Sequence, residues 1–250
     1  MERAEWLKRM RDKTEKLYDH FSPLYWVKYG RSVDETHREY LFKFLERVPP
    51  GSNLLSAACG AGLYDGLLLE AGHSVVGIDQ SEGMLARARE HSPEVRYEKI
   101  GLQEMDFREA FDGVICIDAM EHVCPEDWPE ILQRFREALK PGGVLYFTVD
   151  LGGEYVEGAY ERAKALGLPV VFGEVADKVE EAYERTKALE MSMVPDELAD
   201  SAVYHYHPSL EQVRTWVRQA GLAIEEEGTG NGYEDWNGYE HFVVRNHCNS

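Results

Sequence analysis

Asn53-Leu54-Leu55-Ser56-Ala57-Ala58-Cys59-Gly60-Ala61-Gly62 opens the stretch that decides the fold, which continues to Asp79. Its first five residues predict a short buried strand, and residues 58–62 form a turn of small residues. A helix follows and ends at Gly72, and residues 73–79 predict a second strand that ends on an acid. The stretch is therefore a βαβ unit, with two parallel strands joined by a crossover helix.

The top of this unit predicts a crevice for a nucleoside. Small residues at 58–62 let the backbone approach a ligand closely, and Asp79 at a strand tip can accept hydrogen bonds from a ribose diol. A dinucleotide fits poorly, because the glycine-rich sequence pattern of dinucleotide-binding proteins requires a small residue where Asp65 stands, five places after Gly60. An acid there would also oppose a pyrophosphate at the helix N-terminus. S-adenosylmethionine has no phosphate and carries a sulfonium cation, so it meets neither objection.

The remainder of the chain alternates strands with helices, which predicts an α/β, doubly wound sheet. Further strands are expected over 95–100, 111–118 and 144–149, and helices over about 81–90 and 126–139. Two last strands, Leu222 to Glu227 and about Tyr239 to Arg245, follow a helix capped by Ser209 and would close the sheet as a hairpin. We expect a Rossmann-like seven-stranded sheet, mostly parallel, with an antiparallel C-terminal hairpin.

Residues 1–250 are expected to form a single domain with two additions to the sheet. Residues 1–50 predict a helical cover over the sheet edge or the crevice, and residues 151–203 predict a mostly helical insertion. Two roles stay open for the acidic helices of this insertion, a solvated face or a lid over the acceptor pocket. The two covering helices are predicted over 2–21, ending near Ser22-Pro23, and from about Val33 to Val48.

Composition excludes several classes of partner. The chain has 46 acidic and 27 basic residues, a net charge of −19, so nucleic acid and anionic membranes are disfavoured. Its four cysteines, Cys59, Cys116, Cys124 and Cys248, show no CxxC spacing, which argues against a disulfide scaffold or a zinc site. The first residues are charged and no apolar run approaches the ~20 residues that span a bilayer, so we expect a soluble cytoplasmic protein.

Five segments in order resemble the class I S-adenosylmethionine-dependent methyltransferases. The resemblance covers about residues 50–150 well and the C-terminal hairpin loosely. The segments are Leu54 to Gly62, Asp79-Gln80 with Met84, Leu102-Gln103, Asp118 to Val123 and Leu139 to Gly143. Because five matches occur in register, the resemblance implies the family's fold, its cofactor S-adenosyl-L-methionine and its methyl-transfer activity.

The resemblance also implies which residues contact the cofactor. Asp79 would bind both ribose hydroxyls, and Tyr25 would reach the cofactor carboxylate, with His37 or Arg38 as alternatives. The other implied contacts are Ala58, Cys59, Gly60 and Gly62 at the methionine portion, Gln80 and Met84 at the adenosine, Leu102 and Gln103 at the adenine, and Asp118 and Ala119 near the methyl group. Ser56, Ala58 and Leu102 stand where the family often has an acid, a glycine and an acid, so we expect rearranged polar contacts there.

Methyl transfer is an in-line displacement, so the protein mainly aligns the acceptor with the methyl group. A base is needed only when the acceptor must lose a proton, and His122 is the candidate, with a structural role in the Glu121-His122 turn as the alternative. Trp26, Tyr29, His205 and His207 are candidates for the substrate pocket. In an extended segment His205 and His207 point to the same side. No third metal ligand stands at motif spacing, so we expect no metal site. Packing of the insertion onto the sheet is the alternative to a role of these histidines in the substrate pocket.

The sequence thus predicts an S-adenosylmethionine-dependent methyltransferase that acts on a small molecule. Two alternatives stay open. One is a non-catalytic protein that binds S-adenosylmethionine or S-adenosylhomocysteine, since Ser56 and Leu102 depart from the family pattern and no base is evident. The other is a nucleic-acid methyltransferase, which the acidic net charge opposes.

Overall fold

The computed structural model describes residues 3–29, 33–151, 171–175, 203–230 and 238–247. The strands are β1 (Asn53–Ala57), β2 (Ser74–Asp79), β3 (Arg96–Lys99), β4 (Phe111–Cys116), β5 (Leu139–Asp150), β6 (Val171–Val175), β7 (Val203–His207), β8 (Leu222–Thr229) and β9 (Tyr239–Asn246). The helices are α1 (Arg3–Tyr29), α2 (Glu35–Leu45), α3 (Asp65–Glu70), α4 (Glu82–His91), α5 (Trp128–Ala138) and α6 (Leu210–Gln219), with 3-10 turns at Leu102–Glu104 and Met120–His122.

Seven strands form one sheet in the order β3-β2-β1-β4-β5-β9-β8. Strands β1 to β5 pair with one another in parallel, whereas β9 runs antiparallel to both β5 and β8. The predicted Rossmann-like sheet with an antiparallel C-terminal hairpin is therefore confirmed. The capping box at Ser209 and Gln212 that was expected to begin the last helix is also present.

Helices cover both faces of this sheet, as the sequence of β1 requires. Leu54 and Leu55 are neighbours on β1, both fully buried, and they belong to two different hydrophobic clusters. One cluster includes residues of α2 and α4, and the other includes residues of α5 and α6. Because side chains alternate across a strand, continuous apolar strands of this kind are stable only when both faces are packed.

Helix α1 extends further than the sequence predicted. It was expected to end near Ser22-Pro23, but it continues to Tyr29 with Pro23 inside it. Proline has no N–H to donate to the carbonyl four residues earlier, which is that of Asp19. The Ser22 hydroxyl donates to the Asp19 carbonyl instead, at 2.9 Å, so the helix continues without losing a partner for that oxygen.

Strand β5 begins earlier than expected. The strand was expected over 144–149, yet residues 140–143 also lie within β5 because Leu139 already pairs with Phe111 of β4. The next pair is Val144 with Gly113, so extra residues on β5 form an irregularity in the ladder. Gly142, with φ of 81°, supplies the left-handed conformation that this irregularity needs.

The insertion after β5 contains a second, two-stranded sheet. Strands β6 and β7 pair in parallel, from Val171 opposite Val203 to Val175 opposite His207. The described residues of the predicted helical insertion over 151–203 are thus mainly strand, consistent with the β-branched and aromatic residues at 170–172 and 203–206. The rest of that prediction lies outside the described residues. Strand β7 packs against α1 and against the turn that carries His122.

No helix in the described ranges has an apolar stretch long enough to cross a bilayer.

Candidate functional site

A cleft opens at the carboxyl ends of β1, β2 and β4, where ligands bind in sheets of this topology. The space inside it, with the open mouth included, is about 1050 Å³. Every predicted cofactor residue except Gly62 lines it: Tyr25, Ala58, Cys59, Gly60, Asp79, Gln80, Met84, Leu102, Gln103, Asp118 and Ala119. His122 lines it as well.

Asp79 is oriented by backbone groups at the inner end of the cleft. Its Oδ2 accepts a hydrogen bond from the N–H of Gly60 at 2.9 Å, and its Oδ1 accepts one from Ser81 at 2.8 Å. A carboxylate has about four lone-pair sites, so about two remain for a pair of ligand hydroxyls. Burial raises the pKa of Asp79 to about 6, although the two N–H groups act in the opposite direction. The group is therefore ionised at neutral pH.

Two strand ends in the cleft carry strained backbone. Ala58 follows β1 with φ of 50°, and Asp118 follows β4 with φ of 51°, a region that residues other than glycine rarely adopt. The Asp118 N–H donates to Thr148 Oγ1 at 2.8 Å, and its Oδ1 lies 2.9 Å from His37 Nε2. Such strain concentrates at ligand sites, because surrounding contacts must hold the unusual conformation. His37 thus contacts Asp118, and Arg38 is exposed outside the cleft lining.

Helix α1 forms one wall of the cleft. Arg11, Thr14, Tyr18 and Tyr25 line it, on one side of the helix. Tyr25 was expected from the sequence, whereas Arg11 and Thr14 were not identified from it. The spacing of 3, 4 and 7 between these four positions is that of a single helical stripe, and this signal was available in the sequence.

The same helix is fastened to α4 by one carboxylate. Asp19 Oδ1 accepts hydrogen bonds from the Ser81 hydroxyl at 2.6 Å and from the Gly83 N–H at 2.8 Å. Because Ser81 also caps α4 by accepting from the Met84 N–H, the wall and the end of β2 are held as one unit. No local pattern around Asp19 indicates this pairing.

Gly62 and Asp65 lie behind the cleft. The Asp65 side chain is fully buried, and the Tyr97 hydroxyl donates to its Oδ2 at 2.8 Å. Burial raises the pKa of Asp65 to about 6, opposed by hydrogen bonds from Ser56 and Tyr97. A Cβ at Gly62 would lie 2.8 Å from the Tyr97 hydroxyl, so glycine is required there for packing. Ser56, which stands where an acid was expected, therefore interacts with an acid on the neighbouring helix.

His122 lies at the outer end of the cleft among other polar rings. Its Nε2 lies 2.9 Å from the Tyr18 hydroxyl oxygen, and its ring centroid lies 4.7 Å from that of His205. The His205 and His207 rings are 6.0 Å apart, as expected for alternate residues on one side of a strand, although neither lines the cleft. Trp26 also lies outside it and stacks on His91, whereas the Tyr29 side chain lies outside the described residues.

Comparison with known proteins identifies this arrangement. Residues 54–143, which include β1 to β4 and most of the cleft, match the family model described as a methyltransferase domain. Over these residues the chain is similar to methyltransferase domains. The resemblance inferred from the five sequence segments is therefore confirmed.

Curated relatives are similar to this chain over part of their length. The chain is 32% identical over 135 residues to the ubiquinone biosynthesis O-methyltransferase of Idiomarina loihiensis, a match that covers 51% of each chain. It is 36% identical over 99 residues to the protein of the same name from a Bradyrhizobium species, which covers 38% of each chain. The chain thus spans about half or less of the length of these relatives.

Solved structures share the fold over almost the whole chain. The 1,6-didemethyltoxoflavin-N1-methyltransferase of Burkholderia thailandensis, solved with its substrate and S-adenosylhomocysteine, has a TM-score of 0.60 and 15% identity, over 93% of this chain and 88% of that chain. The magnesium protoporphyrin IX methyltransferase of Synechocystis, solved with S-adenosylmethionine, has a TM-score of 0.58 and 14% identity, over 93% of this chain and 96% of that one. At this identity the likeness concerns the fold.

Proposed function

We propose that this protein transfers a methyl group from S-adenosylmethionine to a small-molecule acceptor. The observation that carries the proposal is the Asp79 carboxylate, which is fixed by two backbone N–H groups and faces a cleft lined by the residues that the family resemblance assigns to the cofactor. The named O-methyltransferases among the relatives support a small acceptor. The net charge of −19 supports it too, because it opposes binding of a polyanion.

The residues of the cleft fit the two halves of the cofactor. Asp79 offers acceptors for a ribose diol, and Met84, Ile100 and Leu102 provide apolar contacts for an adenine. Gly60 gives a ligand close access to the backbone beside Asp79. When bound there, S-adenosylmethionine supplies a methyl group on a sulfonium that one nucleophile can displace. The protein then needs to hold the acceptor atom in line at near-attack distance.

His122 is the group best positioned to receive a proton from an acceptor. It lines the cleft on the same turn after β4 that carries Asp118, and its Nε2 is within hydrogen-bonding distance of Tyr18. We propose that Tyr18 orients the imidazole and that His122 acts as a general base for a hydroxyl or protonated amine. General-base catalysis typically contributes about 10²- to 10⁴-fold to the rate.

Methyl transfer is tested with methyl-labelled S-adenosylmethionine and a panel of phenols, carboxylates and amines. The proposal expects label in at least one low-molecular-weight product. With that acceptor, His122→Gln should lower kcat by about 10²-fold or more while the affinity for S-adenosylhomocysteine stays near wild type. His247→Gln, an exposed histidine at the end of β9, is the matched control and should have wild-type activity.

Binding of S-adenosylhomocysteine without transfer to any acceptor would favour a non-catalytic binding protein. Transfer of the label to RNA or DNA, together with retention on heparin at physiological salt, would replace the small-molecule acceptor by a nucleic acid. Equal kcat values for His122→Gln and wild type would refute the role of His122 as a general base without affecting the proposal of methyl transfer.

A further inference from the structure

Three potential metal ligands meet where β5 ends beside β7. Asp150, His205 and His207 each offer one nitrogen or oxygen atom, and these atoms all lie within 4.8 Å of one another. The sequence showed the histidine pair but no third ligand, because Asp150 comes from a strand distant in the chain. Two imidazole nitrogens and one carboxylate oxygen are a donor set that binds Zn²⁺ and related divalent transition metals.

His207 is prepared to act as a ligand. The residue is 5% exposed, and its Nδ1 lies 3.2 Å from the carbonyl oxygen of Asp150. Because a carbonyl can only accept, Nδ1 is the donor in this contact and Nε2 is the nitrogen left to bind an ion. That Nε2 is buried and has no hydrogen-bond partner among the described residues. A buried polar atom without a partner needs an explanation, and a metal ion would satisfy it.

The spacing of the ligand atoms is wider than in a loaded site. Metal–ligand distances of about 2.0–2.1 Å in a tetrahedral zinc site place the ligands about 3.3 Å apart, against a largest separation here of 4.8 Å. Binding therefore requires the side chains to close by up to about 1.5 Å, which side-chain rotation can provide.

We propose that the protein binds one divalent transition-metal ion through Asp150, His205 and His207. Three protein ligands leave a position open for water or for an oxygen atom of a ligand, as in catalytic zinc sites. The site adjoins His122 through the ring of His205, so the ion lies next to the outer end of the cleft. Resting on the proposed function, this location favours an acceptor whose hydroxyl or carboxylate oxygen coordinates the ion.

Co²⁺ is the probe, because it substitutes for Zn²⁺ and its ligand-field absorption reports coordination. The chelator-treated full chain, without a histidine tag, is titrated with Co²⁺ and followed by absorption and calorimetry. One ion per chain is expected. His205→Ala and Asp150→Asn should each weaken binding by more than about 100-fold, since loss of a group that only orients a metal ligand already costs about 10–100-fold. His247→Ala is the matched control and should bind as wild type.

No Co²⁺ binding by the wild-type chain at millimolar concentration would overturn the proposal, as would wild-type affinity in His205→Ala. His205 is partly exposed, so its variant is expected to fold, and binding of S-adenosylhomocysteine verifies that it does. The same ligand separates the two proposals. Binding of S-adenosylhomocysteine without Co²⁺ binding refutes only the metal site, and Co²⁺ binding without S-adenosylhomocysteine refutes only the methyltransferase assignment. A chelator should slow methyl transfer to an oxygen acceptor, and an unchanged rate would exclude coordination of the acceptor.

Discussion

Replacing Asp79 by asparagine should abolish tight cofactor binding while leaving the protein folded. The carboxylate accepts from Gly60 and Ser81 and has acceptors left for two ribose hydroxyls. A hydrogen bond to a charged group contributes about 1.5–3 kcal/mol, so two of them correspond to about 10²- to 10⁴-fold in affinity. Asparagine retains one acceptor oxygen, and its amide N–H₂ would face a backbone donor.

The stability change should be much smaller than the loss of affinity. Burial raises the pKa of Asp79 to about 6 from its usual value of 3.8, so keeping it ionised at pH 8 costs the folded protein about 3 kcal/mol. Asparagine removes that cost but leaves one N–H without an acceptor, which costs about 1–3 kcal/mol. These two effects nearly cancel.

The assay is calorimetric titration with S-adenosylhomocysteine at pH 8, together with urea unfolding. Glu82→Gln is the matched control, because it removes one carboxylate from the exposed first turn of α4, next to the site but outside the cleft lining. The control should bind as wild type. Affinity of Asp79→Asn within threefold of wild type would refute the assignment of Asp79 to the ribose. An unfolding free energy lower by several kcal/mol would refute the cancellation.

Three further variants test the structure around the cleft. Asp65→Asn should flatten the pH dependence of stability. Because the pKa of Asp65 rises from 3.8 to about 6 on folding, its contribution to stability is fully present below about pH 3.8 and falls by about 3 kcal/mol as the pH rises through 6. Parallel pH profiles of urea unfolding for variant and wild type would contradict a raised pKa at Asp65. Asp19→Ala should weaken S-adenosylhomocysteine binding about 3- to 30-fold, because two hydrogen bonds that fix the α1 wall are lost. The control Asp12→Ala, on the exposed side of α1, should bind with wild-type affinity. Equal affinities of the two variants would show that other contacts hold the wall. Ala58→Gly should leave stability unchanged or raise it by up to about 1 kcal/mol, because relief of the left-handed strain at φ of 50° is offset by the greater entropy of glycine in the unfolded chain. A free energy of unfolding in urea that is more than about 1 kcal/mol below that of wild type would refute the strain at Ala58.

The strand order and the cleft followed from local signals in the sequence. Apolar runs ending on Asp79 and Asp118 placed two acids at the same sheet edge, because parallel strands end together. Turn glycines and the Ser81 cap fixed the intervening helices in register. These features depend on residues close in the chain, so a single sequence was enough to predict them.

Most features that sequence reasoning missed depend on side-chain contacts that propensity and periodicity do not describe. The continuation of α1 through Pro23 depends on the Ser22 hydroxyl, which donates to the carbonyl that the proline cannot serve. Helix propensities do not include such a hydrogen bond. The anchoring of α1 by Asp19 and the approach of Asp150 to the histidine pair join segments far apart in the chain. Such pairings are decided by tertiary packing, so they appear only when the structure is known.

The most direct test of the central claim is a crystal structure of the protein with S-adenosylhomocysteine. The account predicts both ribose hydroxyls within about 3 Å of the Asp79 carboxylate oxygens, the adenine beside Met84 and Leu102, and the sulfur directed toward Asp118 and His122. A ligand bound outside the cleft, or one whose ribose makes no hydrogen bond to Asp79, would contradict it.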